Sequence, residues 1–277
     1  MERREKLINP RAERVKRVAG LSRRSVRADS GLLRFEGPQA VSELVRLGAG
    51  AVRDLYMTPE QIERYPNLWD AARAKDIWSH EVSPEVARSM AEGAQGIIAV
   101  ADASVVSTEM PVLASDTPAL IMVLPETQDP GNAGTLVRIA DGAGARAVVS
   151  CSGTVDLLSP KVVRSSVGSV LHLALPRVES FEQAILDLQS QGFTCVGADG
   201  YAPTTLQEFS AALQAGTYGR KIAWVMGNEA RGLTQAEGDS LDLLVSIRLY
   251  GQAESLNVAS AASLCLFATA DVLWGSL

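Results

Sequence analysis

Two stretches in the last third of the chain decide its fold. Residues 224–233 read Trp-Val-Met-Gly-Asn-Glu-Ala-Arg-Gly-Leu, and residues 246–260 read Ser-Ile-Arg-Leu-Tyr-Gly-Gln-Ala-Glu-Ser-Leu-Asn-Val-Ala-Ser. Short apolar segments, 222–226 and 243–247, lead into them and predict buried strands. Each predicted strand therefore ends in a loop that contains glycine and polar side chains. Since ligands of open α/β sheets bind at the carboxyl ends of strands, these two loops predict one pocket.

The rest of the chain alternates between segments of strand length and helical patterns, which predicts an α/β fold with a mostly parallel sheet. A long apolar helix, 256–274, closes the chain, with Ser255 or Asn257 available to cap it. Further strands are expected at 32–36, 51–57, 75–78, 96–101, 119–124, 146–150, 171–175 and 193–198. Helices are expected at 9–19 and 40–47, from 59 and 83, and at 133–144, 161–167 and 181–191.

Charge is unevenly distributed along the 277 residues, a length that suits two ordinary domains. The net charge is −6, yet residues 1–27 contain ten basic and three acidic side chains. A basic arm on an acidic body suits a polyanionic partner. An amphipathic helix that merely packs on the body explains the same charges, and charge alone does not choose between the two interpretations.

Cysteine and histidine usage indicates no metal site. Cys151, Cys195 and Cys265 are far apart and lie in or beside apolar runs, as expected of buried free thiols in a reducing cytoplasm. His80 and His172 have no recognisable catalytic partner nearby in the sequence. The charged N-terminus does not fit a signal peptide, and no apolar run reaches membrane-spanning length. We therefore expect a cytoplasmic protein without a metal ion or a membrane partner.

Three polar clusters follow predicted strands. The first is Asp-Pro-Gly-Asn-Ala-Gly at 129–134, with Asn132 at a predicted N-cap and Arg138 on the following helix. The others are 227–232 and 254–257. The first cluster alone is better explained as a capped helix with a surface arginine, and each of the other two fits ordinary turn and cap chemistry as well as a ligand site. All three in this order, on strand-to-helix turns, form a specific pattern.

With these clusters the chain resembles the SpoU/TrmH family of RNA ribose 2′-O-methyltransferases, within the trefoil-knotted SPOUT superfamily. The segment Ser-Pro-Lys-Val-Val-Arg-Ser-Ser-Val-Gly at 159–168 is also similar to this family. The resemblance covers about 118–277, and the preceding part looks like the small ribosomal-protein-like α/β domain with which many members bind RNA. The chain departs from the family's usual Ile-Pro-Met before the third cluster, where it has Ile-Arg-Leu at 247–249.

The resemblance implies an S-adenosylmethionine-dependent RNA ribose 2′-O-methyltransferase that acts on large-subunit (23S) rRNA. It implies two domains, an RNA-binding domain at 1–107 and a catalytic domain at 117–277, the latter knotted and forming a homodimer. Backbone groups would hold the cofactor at Met226, Gly227, Ile247, Leu249, Leu256 and Asn257. The basic residues expected to contact RNA are Arg11, Lys16, Arg23, Arg24 and Arg27.

The resemblance also implies the catalytic residues Arg138, Asn132, Glu229, Ser255 and Asn257. A ribose hydroxyl is weakly acidic, so orientation and proton removal fall to the protein. An arginine, with a pKa above about 12, is a poor base. We therefore expect Arg138 to stabilise phosphate and alkoxide, with the other residues positioning the arginine, ribose and cofactor. The proton acceptor stays open.

Other functions are alternative interpretations of the same sequence. A tRNA 2′-O-methyltransferase or a non-catalytic RNA-binding homologue fits the same motifs, and the methylated nucleotide stays open. A dinucleotide-dependent dehydrogenase would share the α/β pattern, but no strand is followed by Gly-x-Gly-x-x-Gly. The joint presence of all five catalytic candidates argues against a decayed site.

Overall fold

The computed structural model describes residues 6–114 and 117–275. The chain divides into two compact units, Met1–Val106 with Leu158–His172, and Ser107–Leu157 with Leu173–Leu277. The ends of the predicted domains, 1–5 and 276–277, lie outside the described residues, as do 115–116, between the two predicted domains. The predicted domain boundaries therefore stay a prediction, and each unit is described by itself.

The described residues form ten strands and twelve α-helices. The strands are β1 (Leu32–Glu36), β2 (Val52–Met57), β3 (Trp78–Glu81), β4 (Ile97–Asp102), β5 (Ala119–Leu124), β6 (Ala147–Ser150), β7 (Thr194–Ala198), β8 (Thr204–Thr205), β9 (Lys221–Met226) and β10 (Leu243–Ser246). The helices are α1 (Glu13–Gly20), α2 (Arg24–Ser30), α3 (Pro38–Leu47), α4 (Pro59–Arg64), α5 (Pro66–Ala74), α6 (Pro84–Met90), α7 (Pro130–Gly142), α8 (Pro160–Ser165), α9 (Phe181–Ser190), α10 (Leu206–Gln214), α11 (Gln235–Asp239) and α12 (Val258–Trp274).

The first unit contains a four-stranded mixed sheet in the order β1-β4-β2-β3. Strand β4 is antiparallel to both neighbours, whereas β2 and β3 are parallel. Helices α1 and α6 cover one core, into which α1 inserts Val15 and Val18. Buried Arg34 donates to the Met90 carbonyl at 2.6 Å and to Glu36 Oε1 at 2.8 Å. Helix α1 of the basic N-terminal segment is therefore packed against the core. This agrees with the interpretation of the segment as an amphipathic helix that packs on the body.

The second unit contains a six-stranded sheet in the order β6-β5-β9-β7-β10-β8, whose described strand pairs are all parallel. Strands β5 and β9 are buried at every position, which explains their uninterrupted apolar sequences. Helix α12 contacts β9, β5, α7 and α10. Trp224 in β9 is fully buried, and its Nε1 donates to Thr269 Oγ1 of α12 at 2.8 Å. This hydrogen bond satisfies the indole nitrogen in the core.

Two predicted strands are wrong. Lys75, expected to begin a strand, is instead the C-cap of α5, and Asp76 follows with φ +57°, so the strand begins at Trp78. The segment 171–175 forms no strand, because a 3₁₀ turn ends at Leu171 and only Ala174 makes a bridge, to Ala147. At 75–78 only Ile77 is buried, whereas at 171–175 the apolar residues Leu173, Ala174 and Leu175 pack into the core without pairing along their length.

All three thiols are buried, which predicts that they are inert in the folded protein. Burial raises the pKa of Cys151, Cys195 and Cys265 to about 12 each. Because the thiolate is the reacting species, iodoacetamide at about pH 8 should leave all three unmodified. Mass spectrometry should find three modifications after unfolding in guanidinium. Rapid modification of the folded protein would contradict this burial.

Candidate functional site

A cavity of ≈ 740 Å³ lies at the carboxyl ends of β9, β7 and β10, which are consecutive in the sheet of the second unit. Parallel strands place the loops that follow them at one edge, so three loops converge there. Seven of the predicted site residues line this cavity: Met226, Gly227, Glu229, Ile247, Leu249, Ser255 and Leu256. The single pocket predicted from two of these loops is thus present, and a third loop contributes to it.

The loop after β9 folds back closely on itself. Asn228 and Gly232 exchange two backbone hydrogen bonds of 3.0 and 2.9 Å, and Gly232 has φ +71°. A Cβ atom on Gly227 would lie 2.6 Å from the carbonyl carbon of Gly232. The Asn228 side chain accepts from Ala230 N at 2.9 Å and donates to the Glu126 carbonyl at 3.0 Å. The turn therefore exposes backbone to the cavity and requires glycine at 227.

Arg231 holds this loop through two carboxylates. Its guanidinium lies 2.9 Å from Glu237 Oε2 and 2.7 Å from Glu126 Oε2. Hydrogen bonds to Glu237 and then to Glu126 raise the pKa of Arg231. Burial disfavours the charged form of Glu237, but hydrogen bonds from Arg231 and Thr234 outweigh it and lower the pKa of Glu237. Arg231 thus connects the loop after β9 to helix α11 and to the segment after β5, and its guanidinium is already paired.

The loop after β10 brings the third cluster to the cavity. Ser255 and Leu256 line it directly, whereas Asn257 caps α12 by accepting from Ala259 N at 2.9 Å. Of the two residues predicted to cap this helix, Asn257 is therefore the cap. Arg248, which stands where the family usually has proline, is exposed and also lines the cavity.

The first cluster joins the second through a side-chain hydrogen bond. Asp129, and not Asn132, caps α7, because its Oδ1 accepts from Asn132 N at 2.7 Å and Pro130 occupies the first helical turn. The prediction of Asn132 as the cap is wrong. The side-chain amide of Asn132 is not used in capping, and its Nδ2 donates to Glu229 Oε1 at 3.3 Å. Asn132 thus orients a carboxylate that lines the cavity.

Arg138 stands apart from this cavity within a single chain. It lies six residues after Asn132 on α7, is exposed and does not line the cavity. In residues 6–114 and 117–275 its side chain makes no hydrogen bond or ion pair. The structure therefore gathers Asn132, Glu229 and Ser255 around the cavity and leaves the arginine free.

Sequence reasoning missed the third loop of the cavity. Asp199, Gly200 and Tyr201 follow β7 and line the cavity, and Tyr201 is 96% exposed. The signal was available, because the strand 193–198 was predicted and the chain after it contains Asp, Gly and Tyr. Glu126 was missed for another reason. Its contact with Arg231 joins residues 105 positions apart, which no local pattern reveals.

The basic residues predicted to contact RNA differ in exposure. Arg11, Lys16, Arg23 and Arg24 are exposed in the first unit. Arg27 is 5% exposed, and its guanidinium donates to the carbonyls of Leu21 at 2.8 Å and Ser22 at 2.9 Å. Because Arg27 satisfies backbone carbonyls, we do not retain it among the RNA-contacting candidates.

Neither a membrane-crossing helix nor a metal-ligand cluster occurs among the described residues. No helix there is both long enough and apolar enough to cross a membrane. Within the same ranges, no three side chains among histidine, cysteine, aspartate and glutamate are grouped as metal ligands would be.

Comparison with known proteins identifies the family to which the chain is similar. A model of the SpoU rRNA Methylase family matches residues 119–267. The 23S rRNA (guanosine(2553)-2′-O)-methyltransferase RlmP of Bacillus subtilis (strain 168) is 30% identical over 255 residues, which cover 92% of this chain and 95% of that protein.

Solved structures share the fold along nearly the whole chain. A crystal structure of an RNA 2′-O ribose methyltransferase has a TM-score of 0.76 at 27% identity and covers 96% of this chain and 98% of that one. The AdoMet-bound rRNA methyltransferase of Sinorhizobium meliloti has a TM-score of 0.74 at 23% identity, with 96% and 97% covered, a likeness that shows the fold alone. From the match over 119–267 and the similarity to the Bacillus protein, the chain belongs to the SpoU rRNA methylase family.

Proposed function

We propose that this chain is an S-adenosylmethionine-dependent RNA ribose 2′-O-methyltransferase that acts on large-subunit (23S) rRNA. The observation that carries the proposal is the cavity at the ends of β9, β7 and β10, where the second and third motif clusters of the family meet. The Bacillus relative, similar over 92% of this chain, is named as a 23S rRNA ribose methyltransferase. The family assignment supports the reaction, and this relative supports the substrate class.

The cavity suits a ligand of the cofactor's size and polarity. Its volume of ≈ 740 Å³ falls within the roughly 300–1,000 Å³ of small-molecule sites. Backbone groups at Met226, Gly227, Ile247, Leu249 and Leu256 would hold the adenosine part, and the missing Cβ of Gly227 lets the loop after β9 close on itself beside the cavity. Bound S-adenosylmethionine supplies an electrophilic methyl group on a sulfonium centre. Asn257 would act indirectly, by fixing the start of α12 beside Leu256.

The chain's own residues then have to orient and activate a ribose hydroxyl. Asn132 holds Glu229 from α7, so this carboxylate enters the cavity in a defined direction. Ser255 lines the same cavity and offers a hydroxyl for positioning. Arg138 would stabilise the substrate phosphate and the developing alkoxide through its planar guanidinium fork.

We also propose that the second unit contains a trefoil knot and that the chain forms a homodimer. Helix α12 exposes Leu264 to 47% and Phe267 to 45%, which is unusual for large apolar side chains on one helix and suits a partner surface. The separation of Arg138 from the cavity also favours a partner, because a second copy can bring its own Arg138 to the site. Sedimentation of a monomer at micromolar concentration would contradict the dimer.

Mixing two inactive variants should test this sharing between subunits. Arg138→Ala and Glu229→Ala chains are each expected to be inactive. If each site combines Arg138 of one chain with Glu229 of the other, a mixed dimer contains one intact site. Co-refolded mixtures should therefore regain methyl transfer, and each mixed dimer should have up to about half the activity of a wild-type dimer. Brief mixing of the two folded homodimers should restore no activity, because the chains do not exchange. Failure to regain activity, with mixed dimers shown by mass spectrometry, would place both residues in one chain's site.

The exposed basic residues Arg11, Lys16, Arg23 and Arg24, in and beside α1 and α2, should contribute to RNA affinity through phosphate contacts. Deletion of 1–27 is unsuitable as a test, because it would remove Val15 and Val18 from the core. Replacing Arg11, Lys16, Arg23 and Arg24 together by alanine should instead weaken binding to 23S rRNA. The slope of log affinity against log salt should fall by about 0.7–0.9 for each phosphate that is no longer neutralised. An unchanged slope, with cofactor affinity also unchanged, would exclude these residues from the RNA interface.

The proposed substrate is tested by comparing 2′-O-methyl sites in RNA from cells with and without this protein. Loss of one site in 23S rRNA supports the proposal, and its return with the wild-type gene but not with Arg138→Ala assigns it to catalysis. Loss of a tRNA site instead would favour the alternative substrate. Unchanged methylation, with cofactor bound by the purified protein, would favour a non-catalytic RNA-binding homologue.

A further inference from the structure

The first unit contains a second cavity, far in the sequence from the motif clusters. It has a volume of ≈ 420 Å³ and lies between α3 and the junction of α4 with α5. No residue of α1 or α2 lines it, so it is separate from the basic residues considered above. Its lining contains three cations and an aromatic ring but no acidic side chain. We call the six polar and aromatic residues of this lining the cationic cleft: Ser42, Arg46, Arg64, Tyr65, Asn67 and Lys75.

The three cations of the cationic cleft are held to different degrees. Lys75 Nζ donates to the Val45 carbonyl at 2.7 Å, which fixes it at the end of α3. Arg46 Nε donates to Glu43 Oε2 at 3.0 Å, so its charge is largely matched. Arg64 is exposed, and its guanidinium forms no ion pair with an acidic side chain in the described ranges. One cation is thus anchored, one is paired, and Arg64 is available to an anion.

Arg64 is placed beside an aromatic ring. Its Cζ lies 5.6 Å from the centroid of the Tyr65 ring. Tyr65 is half-buried and is the residue between α4 and α5. The side chains of Ser42 and Asn67 also line the cleft, and neither has a hydrogen-bond partner among the residues that the structure describes. The cleft therefore combines a flat cation, a half-buried aromatic ring and two polar side chains without hydrogen-bond partners among the described residues.

This combination matches the chemistry of one unpaired nucleotide. Arginine forks bind phosphate bidentately, and bases of single-stranded RNA stack on aromatic rings or guanidinium planes. Amide and hydroxyl groups can hydrogen-bond the exposed edge of such a base. A double helix offers its phosphates but not its stacked bases, so Tyr65 and Asn67 would be unused against a duplex. The lining therefore favours a single-stranded ligand.

We propose that the cationic cleft binds one unpaired nucleotide of the RNA substrate, with Arg64 on its phosphate and Tyr65 against its base. The inference rests on the proposed function, since it takes RNA as the partner, and it adds a contact that selects RNA with an unpaired segment. The cleft would act in binding and not in the chemical step, because it belongs to the first unit and the cofactor cavity to the second.

Four variants separate this role from general electrostatics. Tyr65→Leu removes the stacking ring, and Tyr65→Phe keeps it. Arg64→Ala removes the available cation, and Arg73→Ala is its control, because Arg73 is an exposed arginine on the adjoining helix α5 that does not line the cleft. The probes are deproteinised 23S rRNA and a short single-stranded RNA that contains 4-thiouridine. Filter binding gives affinity, and photocrosslinking followed by mass spectrometry gives the site.

Loss of a stacked base is expected to weaken RNA binding by roughly 5- to 150-fold in Tyr65→Leu, while Tyr65→Phe stays near wild type. Arg64→Ala should weaken binding and lower the salt slope by about 0.7, the value for one phosphate of a single strand. Arg73→Ala should change neither. Crosslinks should map to the peptide that contains Tyr65, and all variants should keep the wild-type melting temperature and cofactor affinity.

Equal binding by Tyr65→Leu, Arg64→Ala and Arg73→Ala would overturn the inference, as would equal weakening of all three. If wild-type protein methylates RNA and the variants bind like the control, only the cleft proposal fails. If wild-type protein transfers no methyl group to RNA, the proposed function fails instead. Crosslinks at the cleft without methyl transfer would support RNA binding there and contradict only the enzymatic proposal.

Discussion

Replacing Arg138 by lysine is expected to lower kcat for RNA methylation by a factor on the order of 10²–10³, as when other electrostatic donors are removed. Lysine keeps the positive charge but loses the planar fork that can hold a phosphate and an alkoxide together. Arg138 does not line the cavity of its own chain, so the affinity for S-adenosylmethionine should change little. Single-turnover methylation of 23S rRNA with saturating cofactor measures the rate of methyl transfer. Calorimetry measures the affinity for S-adenosylmethionine.

Arg146→Lys is the matched control for this experiment. Arg146 is also exposed, and it precedes β6, at the opposite end of the parallel strands from the cavity. It should keep normal turnover. If Arg138→Lys also kept near-normal turnover on the RNA substrate, the proposed role would be wrong and Arg138 would be a surface residue of α7. Weakened cofactor binding with unchanged turnover would instead place Arg138 in the cofactor site.

Replacing Gly227 by alanine is expected to weaken cofactor binding by about 5- to 150-fold. The new Cβ would lie 2.6 Å from the Gly232 carbonyl carbon and 2.8 Å from Leu233 N, and both are backbone atoms that cannot rotate away. Forcing extra volume into a packed site costs about 1–3 kcal/mol. The loop can relieve the clash only by opening, which displaces Glu229 and the backbone that lines the cavity. Calorimetric titration with S-adenosylmethionine measures the loss.

Gly251→Ala is the control, because a Cβ there meets nothing within 4 Å and Gly251 does not line the cavity. Its cofactor affinity should match wild type. The melting temperature separates a local effect from general unfolding of Gly227→Ala. Unchanged cofactor affinity in folded Gly227→Ala protein would contradict the proposed cofactor site at the end of β9.

Apolar segments predicted their strands correctly, whereas the two-residue strand β8 and helix α10 were missed. Residues 119–124 and 222–226 are buried throughout, so composition alone identifies them as β5 and β9. Strand β8 has only two residues, and its pairing with the end of β10 depends on the assembled sheet. The same limit explains 171–175, whose apolar residues enter the core without a neighbouring strand along their whole length.

Part of the candidate site could be derived from local rules that the sequence already contained. Proline is favoured in the first turn of a helix, so Pro130 identifies Asp129 as the N-cap and places Asn132 inside the helix. The hydrogen bond from Asn132 to Glu229 joins residues 97 positions apart, which requires the fold. The separation of Arg138 from Asn132 could be derived as well, because six residues at about 3.6 per turn place the two side chains about 120° apart around α7, where they need not contact the same ligand.

Methyl transfer to RNA by the purified protein tests the central claim most directly. The protein is incubated with methyl-tritiated S-adenosylmethionine and deproteinised 23S rRNA, and the RNA is then digested to nucleosides for chromatography and mass spectrometry. We predict that the label appears in a 2′-O-methylated nucleoside and is absent with Arg138→Ala. Label on a base, or no label in RNA while the protein binds the cofactor, would contradict the assignment of this chain as a ribose 2′-O-methyltransferase.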